Sequence, residues 1–153
     1  MVTPEPTAAP STTKTPTSLP TFGPTVTATT PTTDNLVVPF TSSGVPTTHS
    51  YHGTVTIIVR GTGRASQTQY SDAFYVYTDT SGTPITPYHP VRDCWVLDID
   101  GQPADHYISL PAYNANHSYM FTLSAPGGVL TFNECDAMTS DNTGSYYITV
   151  TQN

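Results

Sequence analysis

Glu134, Asp136, Asp141 and Asn142 put four oxygen-bearing side chains into one short stretch, NECDAMTSDNTGSYYITV, at residues 133–150. Oxygens at that density suit a hard cation. Calcium takes about six to eight of them at ~2.3–2.6 Å, from carboxylates, amides and main-chain carbonyls together. The same residues have a second reading. Asp141-Asn142-Thr143-Gly144 is also a polar hairpin turn, because Asp, Asn and Gly tolerate tight-turn backbone. The residues alone leave both readings open. The chain then alternates, with Tyr146, Ile148 and Val150 set against Tyr147 and Thr149, which is the period of a strand.

Positioning such a loop requires strands on both sides, and the rest of the chain supplies the pattern. No segment has a helical period. Val55, Ile57 and Val59 share one face of a predicted strand at 54–59. At 73–78, Phe74 and Val76 oppose Tyr75 and Tyr77. At 95–99, Trp95, Leu97 and Ile99 are predicted to face inward, with Asp98 and Asp100 outward on a solvated face. Tyr119, Phe121 and Leu123 share a face at 119–123, and further strands are expected at 129–133 and 145–151. Residues 36–40 add a strand that Pro39 confines to an edge. Gly61-Thr62-Gly63, Ser81-Gly82, Asp100-Gly101, Pro126-Gly127-Gly128 and Asn142-Thr143-Gly144 punctuate the runs. Short strands at roughly 8–12-residue intervals predict an all-β chain folded as an antiparallel β-sandwich.

Residues 1–35 differ in kind. They are almost all Thr, Pro, Ser and Ala, with Val2, Leu19, Phe22 and Val26 among the few large apolar side chains. They bury too little to offset ordering entropy and read as a disordered Pro/Thr-rich tether. An O-glycosylated stalk and a plain linker fit equally. The folded domain is expected over 36–153. There the basic residues are Arg60, Arg64 and Arg92, and the whole chain has a formal net charge of −7. That balance argues against nucleic acid and against docking on anionic lipid. No apolar run reaches the ~20 residues that span a bilayer. With its low Lys content and stalk-like start, the sequence reads as a piece of an exported, extracellular or cell-surface protein whose signal lies upstream. Cys94 and Cys135 flank two predicted strands and are expected to form a disulfide, two buried thiols being the alternative.

The C-terminal stretch resembles the PA-IL-like family, that of the galactose-binding lectin of Pseudomonas. Asn133-Glu134 stands at the family's Asn-Asp, and Asp141-Asn142-Thr143-Gly144-Ser145 at its Asn-Asn-Ser-Gly-Ser, with the same spacing between them. Gly63-Arg64-Ala65-Ser66 echoes a Gly-x-Ala-Ser run, and His89-Pro90 a His-Pro pair. The resemblance covers residues 50–152. It implies a calcium ion held by Glu134, Asp141 and Asn142 with the main-chain oxygens of Met138 and Gln67. It also implies a galactose-type sugar bound through a calcium-coordinated vicinal diol, with His89, Arg92, Asp141 and Asn142 contacting it. Members associate, so a homo-oligomer fits. The departures are Glu134 for a shorter Asp, Asp141 for an Asn, and Arg92 for a Gln.

Two other readings compete. One is a calcium-stapled structural or adhesion module with no sugar. The other is a carbohydrate-binding accessory module of a larger extracellular enzyme. Nothing resembles a nucleophile motif, and no catalytic residue is assigned. Asn116-His117-Ser118 matches an N-glycosylation triplet.

Overall fold

The computed structural model describes residue 1, residues 30–77, the backbone of 84–86, and residues 95–153. Most of the tether, and with it Tyr88, His89, Arg92 and Cys94, lies outside the described residues. The elements are β1 (Thr32–Pro39), β2 (Val45–Pro46), β3 (His52–Arg60), β4 (Gly63–Arg64), β5 (Tyr70–Ser71), β6 (Val76–Tyr77), β7 (Pro84–Thr86), β8 (Leu97–Ile99), β9 (Gln102–Pro103), β10 (Ser118–Pro126), β11 (Thr131–Glu134) and β12 (Thr143–Gln152). Short 3-10 turns occupy Ala104–His106 and Thr139–Asp141. Among the described residues there is no α-helix, and no helix long and apolar enough to cross a membrane.

The chain is an all-β antiparallel sandwich. One sheet runs β10-β3-β12-β4-β5-β6-β7, with β1 on the other side of β12, and the second runs β2-β11-β8-β9. β12 is the spine. It pairs with β1 from Thr32↔Gln152 to Pro39↔Ser145, with β3 from Tyr147↔Arg60 to Thr151↔Thr56, and with β4 through Thr143 and Gly144. Its sequence fits that place, since Tyr146, Ile148 and Val150 are buried while Tyr147 between them is exposed. These side chains meet Val55, Ile57 and Val59 of β3 and Leu97, Ile99 and Phe132 of the smaller sheet in one core. β1 is a sheet edge ending in Pro39, as expected, although it begins at Thr32, ahead of residue 36.

Two local expectations are corrected. Among the described residues of the predicted 73–78 strand, only Val76–Tyr77 is a strand, and Phe74, Tyr75, Val76 and Tyr77 are all buried. The reason is Asp72. Its Oδ1 accepts the Phe74 and Tyr75 N–H groups at 2.9 and 2.8 Å, which turns the chain where a ladder would have continued. The second correction concerns Asp98, predicted to face solvent but buried. Its Oδ1 accepts the Gly101 N–H at 2.7 Å. Burial pushes its carboxyl pKa up, opposed by that hydrogen bond and reinforced by the charge of Asp100. Asp100 itself adopts φ 53° and accepts the Thr131 N–H at 2.7 Å. Asp100 is exposed, as expected, and ties the β8–β9 turn to β11, whereas Asp98 is turned inward and closes the turn itself.

Asp72 also anchors a buried polar network. Its Oδ2 accepts the Tyr119 hydroxyl and faces His117 Nδ1, each at 2.8 Å, and its main-chain oxygen accepts the Tyr146 hydroxyl at 3.2 Å. Tyr77 stacks on the His117 ring with centroids 5.3 Å apart. Asp72 therefore joins the turn before β6 and the start of β10 through its carboxylate, and the spine β12 through its main-chain oxygen.

Asp34 of β1 does the same at the other end. It accepts the Thr48 hydroxyl, the His49 N–H at 3.0 Å and the Tyr51 hydroxyl at 3.0 Å, and faces His49 Nδ1 at 3.2 Å. Burial acts to raise its pKa, but these hydrogen bonds overturn that and hold it at about 2. The folded chain thus binds this proton more weakly than the unfolded chain. The stabilisation is complete above the unfolded carboxylate pKa of about 4 and is lost as pH falls toward about 2. An acid titration of unfolding free energy will show that decline, and Asp34→Asn will flatten it within this window.

Candidate functional site

The loop between β11 and β12 carries the oxygen-rich residues. Glu134 closes β11 and is fully buried. The next two N–H groups are used: Cys135 N–H donates to Val96 O at 2.8 Å, and Asp136 N–H to Glu134 O at 3.1 Å. Asp136 Oδ1 accepts the Met138 N–H at 2.9 Å, an Asx turn that reverses the chain toward the 3-10 turn at Thr139–Asp141. Asn142 N–H then donates to Thr139 O at 3.3 Å and the chain enters β12.

This folding brings Glu134 and Asn142 side by side. Asn142 Nδ2 donates to Glu134 Oε2 at 3.2 Å and to Phe40 O at 3.3 Å. Each residue is fixed through one atom and keeps one oxygen without a hydrogen-bond partner, namely Glu134 Oε1 and Asn142 Oδ1. Both side chains are buried. A buried orphan acceptor costs about 1–3 kcal/mol, more if charged, so a folded chain retains two together only where something else repays the cost. Desolvation, with the nearby Asp136 charge, pushes the Glu134 carboxyl up to about 9.

The loop after β4 faces this one because two backbones touch. A Cβ on Gly63 would sit 2.2 Å from Thr143 O and 2.8 Å from the Phe40 ring. Gly144 adopts φ +106°, and its Cβ would sit 2.5 Å from the Gly63 Cα. Only glycine permits that approach. Gly63→Ala will separate β4 from β12, cost about 1–3 kcal/mol and blunt any cation-dependent stabilisation. Thermal melts with and without calcium check both effects.

Between the two loops lies an open depression lined by Ala65, Ser66, Trp95, Asp136, Met138 and Asp141. The structure thus gathers Glu134, Asp141, Asn142 and Met138 in one loop. Gln67 is exposed at the tip of the turn closed by Ala65 N–H to Gln69 O at 2.9 Å, with Ala65 and Ser66 nearer the depression. His89 and Arg92 lie outside the described residues. So does Cys94, the expected partner of Cys135; among the described residues no cysteine is free.

The residues fit a calcium ion. Among the described residues no three His, Cys, Asp or Glu side chains converge on a metal position. Calcium does not need three, since amide and main-chain oxygens complete its shell. The unpartnered Glu134 and Asn142 oxygens, with Asp141 next to Asn142 in the chain, are hard donors of the right type. Two residues at the depression were not assigned from sequence. By sequence Asp136 is only one more oxygen, although Asp-Ala-Met also carries the signal of its turn-forming contact. Alternation places Trp95 in the core, and no sequence signal moves it to the rim.

No family model and no curated protein matches the chain. Among solved structures, it is similar to a chain described as "EclA N-terminal domain; PllA-like lectin", with a TM-score of 0.45 and 19% identity, over 76% of this chain and 92% of that one. At that level the likeness carries no argument, and the β-sandwich rests on the strand pairings themselves.

Proposed function

We propose that this chain is a calcium-dependent, lectin-like carbohydrate-binding domain of an exported or cell-surface protein, binding galactose-type sugars through a vicinal diol. The observation that carries the reading is the pair of buried, unpartnered oxygens, Glu134 Oε1 and Asn142 Oδ1, in the same stretch of chain whose Asp136 and Asp141 line an open depression. Glu134, Asp141 and Asn142 would hold the ion, with the main-chain oxygens of Met138 and Gln67. When bound, calcium supplies coordination positions that hydroxyl pairs can take in place of water. The chain's own residues then orient the ligand. Asp141 and Asn142 accept hydrogen bonds from its hydroxyls, and His89 and Arg92 contact its periphery. A Cys94–Cys135 bridge would fix the start of the loop. The acidic balance supports a neutral ligand over nucleic acid.

Thermal unfolding tests this in three conditions: chelator, calcium, and calcium with excess galactose. A ligand that binds only the folded state raises the melting temperature, by about 2.7 kcal/mol of stability at a hundredfold excess over Kd. The reading expects a calcium shift and a further, calcium-dependent galactose shift. A calcium shift with no response to any sugar would instead favour the structural module.

A further inference from the structure

The depression beside the calcium loop has an aromatic wall on one side. Trp95 lines it together with Asp136, Met138 and Asp141. Its backbone sits at φ +31°, a conformation that a bulky side chain adopts only under constraint from its surroundings. The constraint is visible. The next residue's oxygen accepts the Cys135 N–H at 2.8 Å, Leu97 N–H donates to Ala73 O at 3.1 Å, and Trp95 packs against the pair Val76 and Val96, as Cys135 does. The same hydrogen bond to Cys135 ties the Trp95 segment to the segment that begins the oxygen-rich loop. Ring and loop are therefore held as one unit. The indole is only half-buried, so it keeps surface at the rim.

We infer that Trp95 is the stacking wall of the carbohydrate site, receiving the apolar C–H face of a pyranoside whose hydroxyls turn toward the Glu134–Asn142 loop. The inference rests on the calcium-dependent reading above and deepens it. A pyranose ring has one face rich in C–H bonds. The negative face of an indole attracts the partial positive charge of those hydrogens and shields them from water. A polar anchor on one side and an aromatic plane on the other is how a shallow depression gains both orientation and affinity. The ligand class is accordingly a pyranoside with one face free of axial hydroxyls and bulky substituents, presented at the end or along the edge of a glycan. A sugar hydroxylated on both faces would lose the contact with the ring.

The chain contains a single Trp, so its emission reports on this residue alone. The full chain is titrated with methyl galactoside in calcium and in chelator. The inference expects a saturable shift in emission in calcium and none in chelator. Trp95→Ala should weaken methyl galactoside binding by about tenfold, measured by calorimetry, while calcium still raises its melting temperature. Trp95→Phe, which keeps a ring, should retain most of the affinity. Unchanged emission on sugar binding, or a Trp95→Ala variant that binds the sugar as tightly as the parent, overturns the stacking role and leaves the calcium site standing. If neither calcium nor methyl galactoside registers with the parent chain, the stacking role and the lectin reading fail together.

Discussion

Glu134→Gln will make the metal-free chain more stable and the calcium-treated chain no more stable than that. The two effects have opposite signs and one cause. In the folded chain Glu134 is fully buried and its pKa is pushed up to about 9, against about 4.5 when unfolded. Between those values the folded state holds a proton that the unfolded state has released. Stability of the chelated protein therefore falls as pH rises from about 4.5 to about 9. Gln keeps the shape and the hydrogen bond with Asn142, and removes the ionisation. Stability at pH 8 should rise by about 1–3 kcal/mol, and the slope across that window should flatten. A cation repays the same penalty in the parent by pairing with the carboxylate, and calcium uptake at neutral pH will release a proton. Denaturant melts of both proteins, with chelator and with calcium at several pH values, separate these effects. A Gln variant that still gains stability from calcium as the parent does would remove Glu134 from the site.

Asp72→Ala is expected to be the most destabilising single change, at about 3–5 kcal/mol, enough to unfold a marginal sandwich. The carboxylate accepts from two backbone N–H groups and the Tyr119 hydroxyl and faces the His117 ring, all at 2.8–2.9 Å. Alanine strands these groups in a region where Asp72 itself is fully buried. Asp72→Asn retains part of the accepting capacity and should cost about half as much. The measurement is urea unfolding of the three proteins at one pH. Wild-type stability in Asp72→Ala would mean that the turn before β6 repacks freely.

How much of this was legible in the sequence follows from what each signal depends on. Period-two alternation is set by one-sided burial, so the inward faces of β3, β10 and β12 could be read directly from Val55-Ile57-Val59, Tyr119-Leu123 and Tyr146-Ile148-Val150. The signal failed where both faces are covered or where a side chain captures backbone N–H groups. That is the case at 72–77, where Asp72 bends the chain, and at Asp98, whose polarity suggested solvent while its hydrogen bond to Gly101 allowed burial. Glu134, Asp141 and Asn142 were legible as a donor set because oxygen-bearing residues at short spacing are informative by type. Their pairing, with one oxygen left free on each of Glu134 and Asn142, depends on Phe40 and on the Gly63–Gly144 approach, contacts distant in sequence. Trp95 shows the limit most clearly. Alternation assigns it to the core, whereas in the fold it has a positive φ and lines the depression.

The central claim is that the Glu134–Asn142 loop binds calcium and that the bound ion admits a sugar. Calorimetric titration of galactose into the calcium-loaded chain, repeated after chelation, tests it most directly. Saturable one-site binding is expected with calcium, none with chelator, and none in either condition for Glu134→Ala. Galactose binding of equal affinity in chelator, with the chain free of metal by elemental analysis, would contradict it.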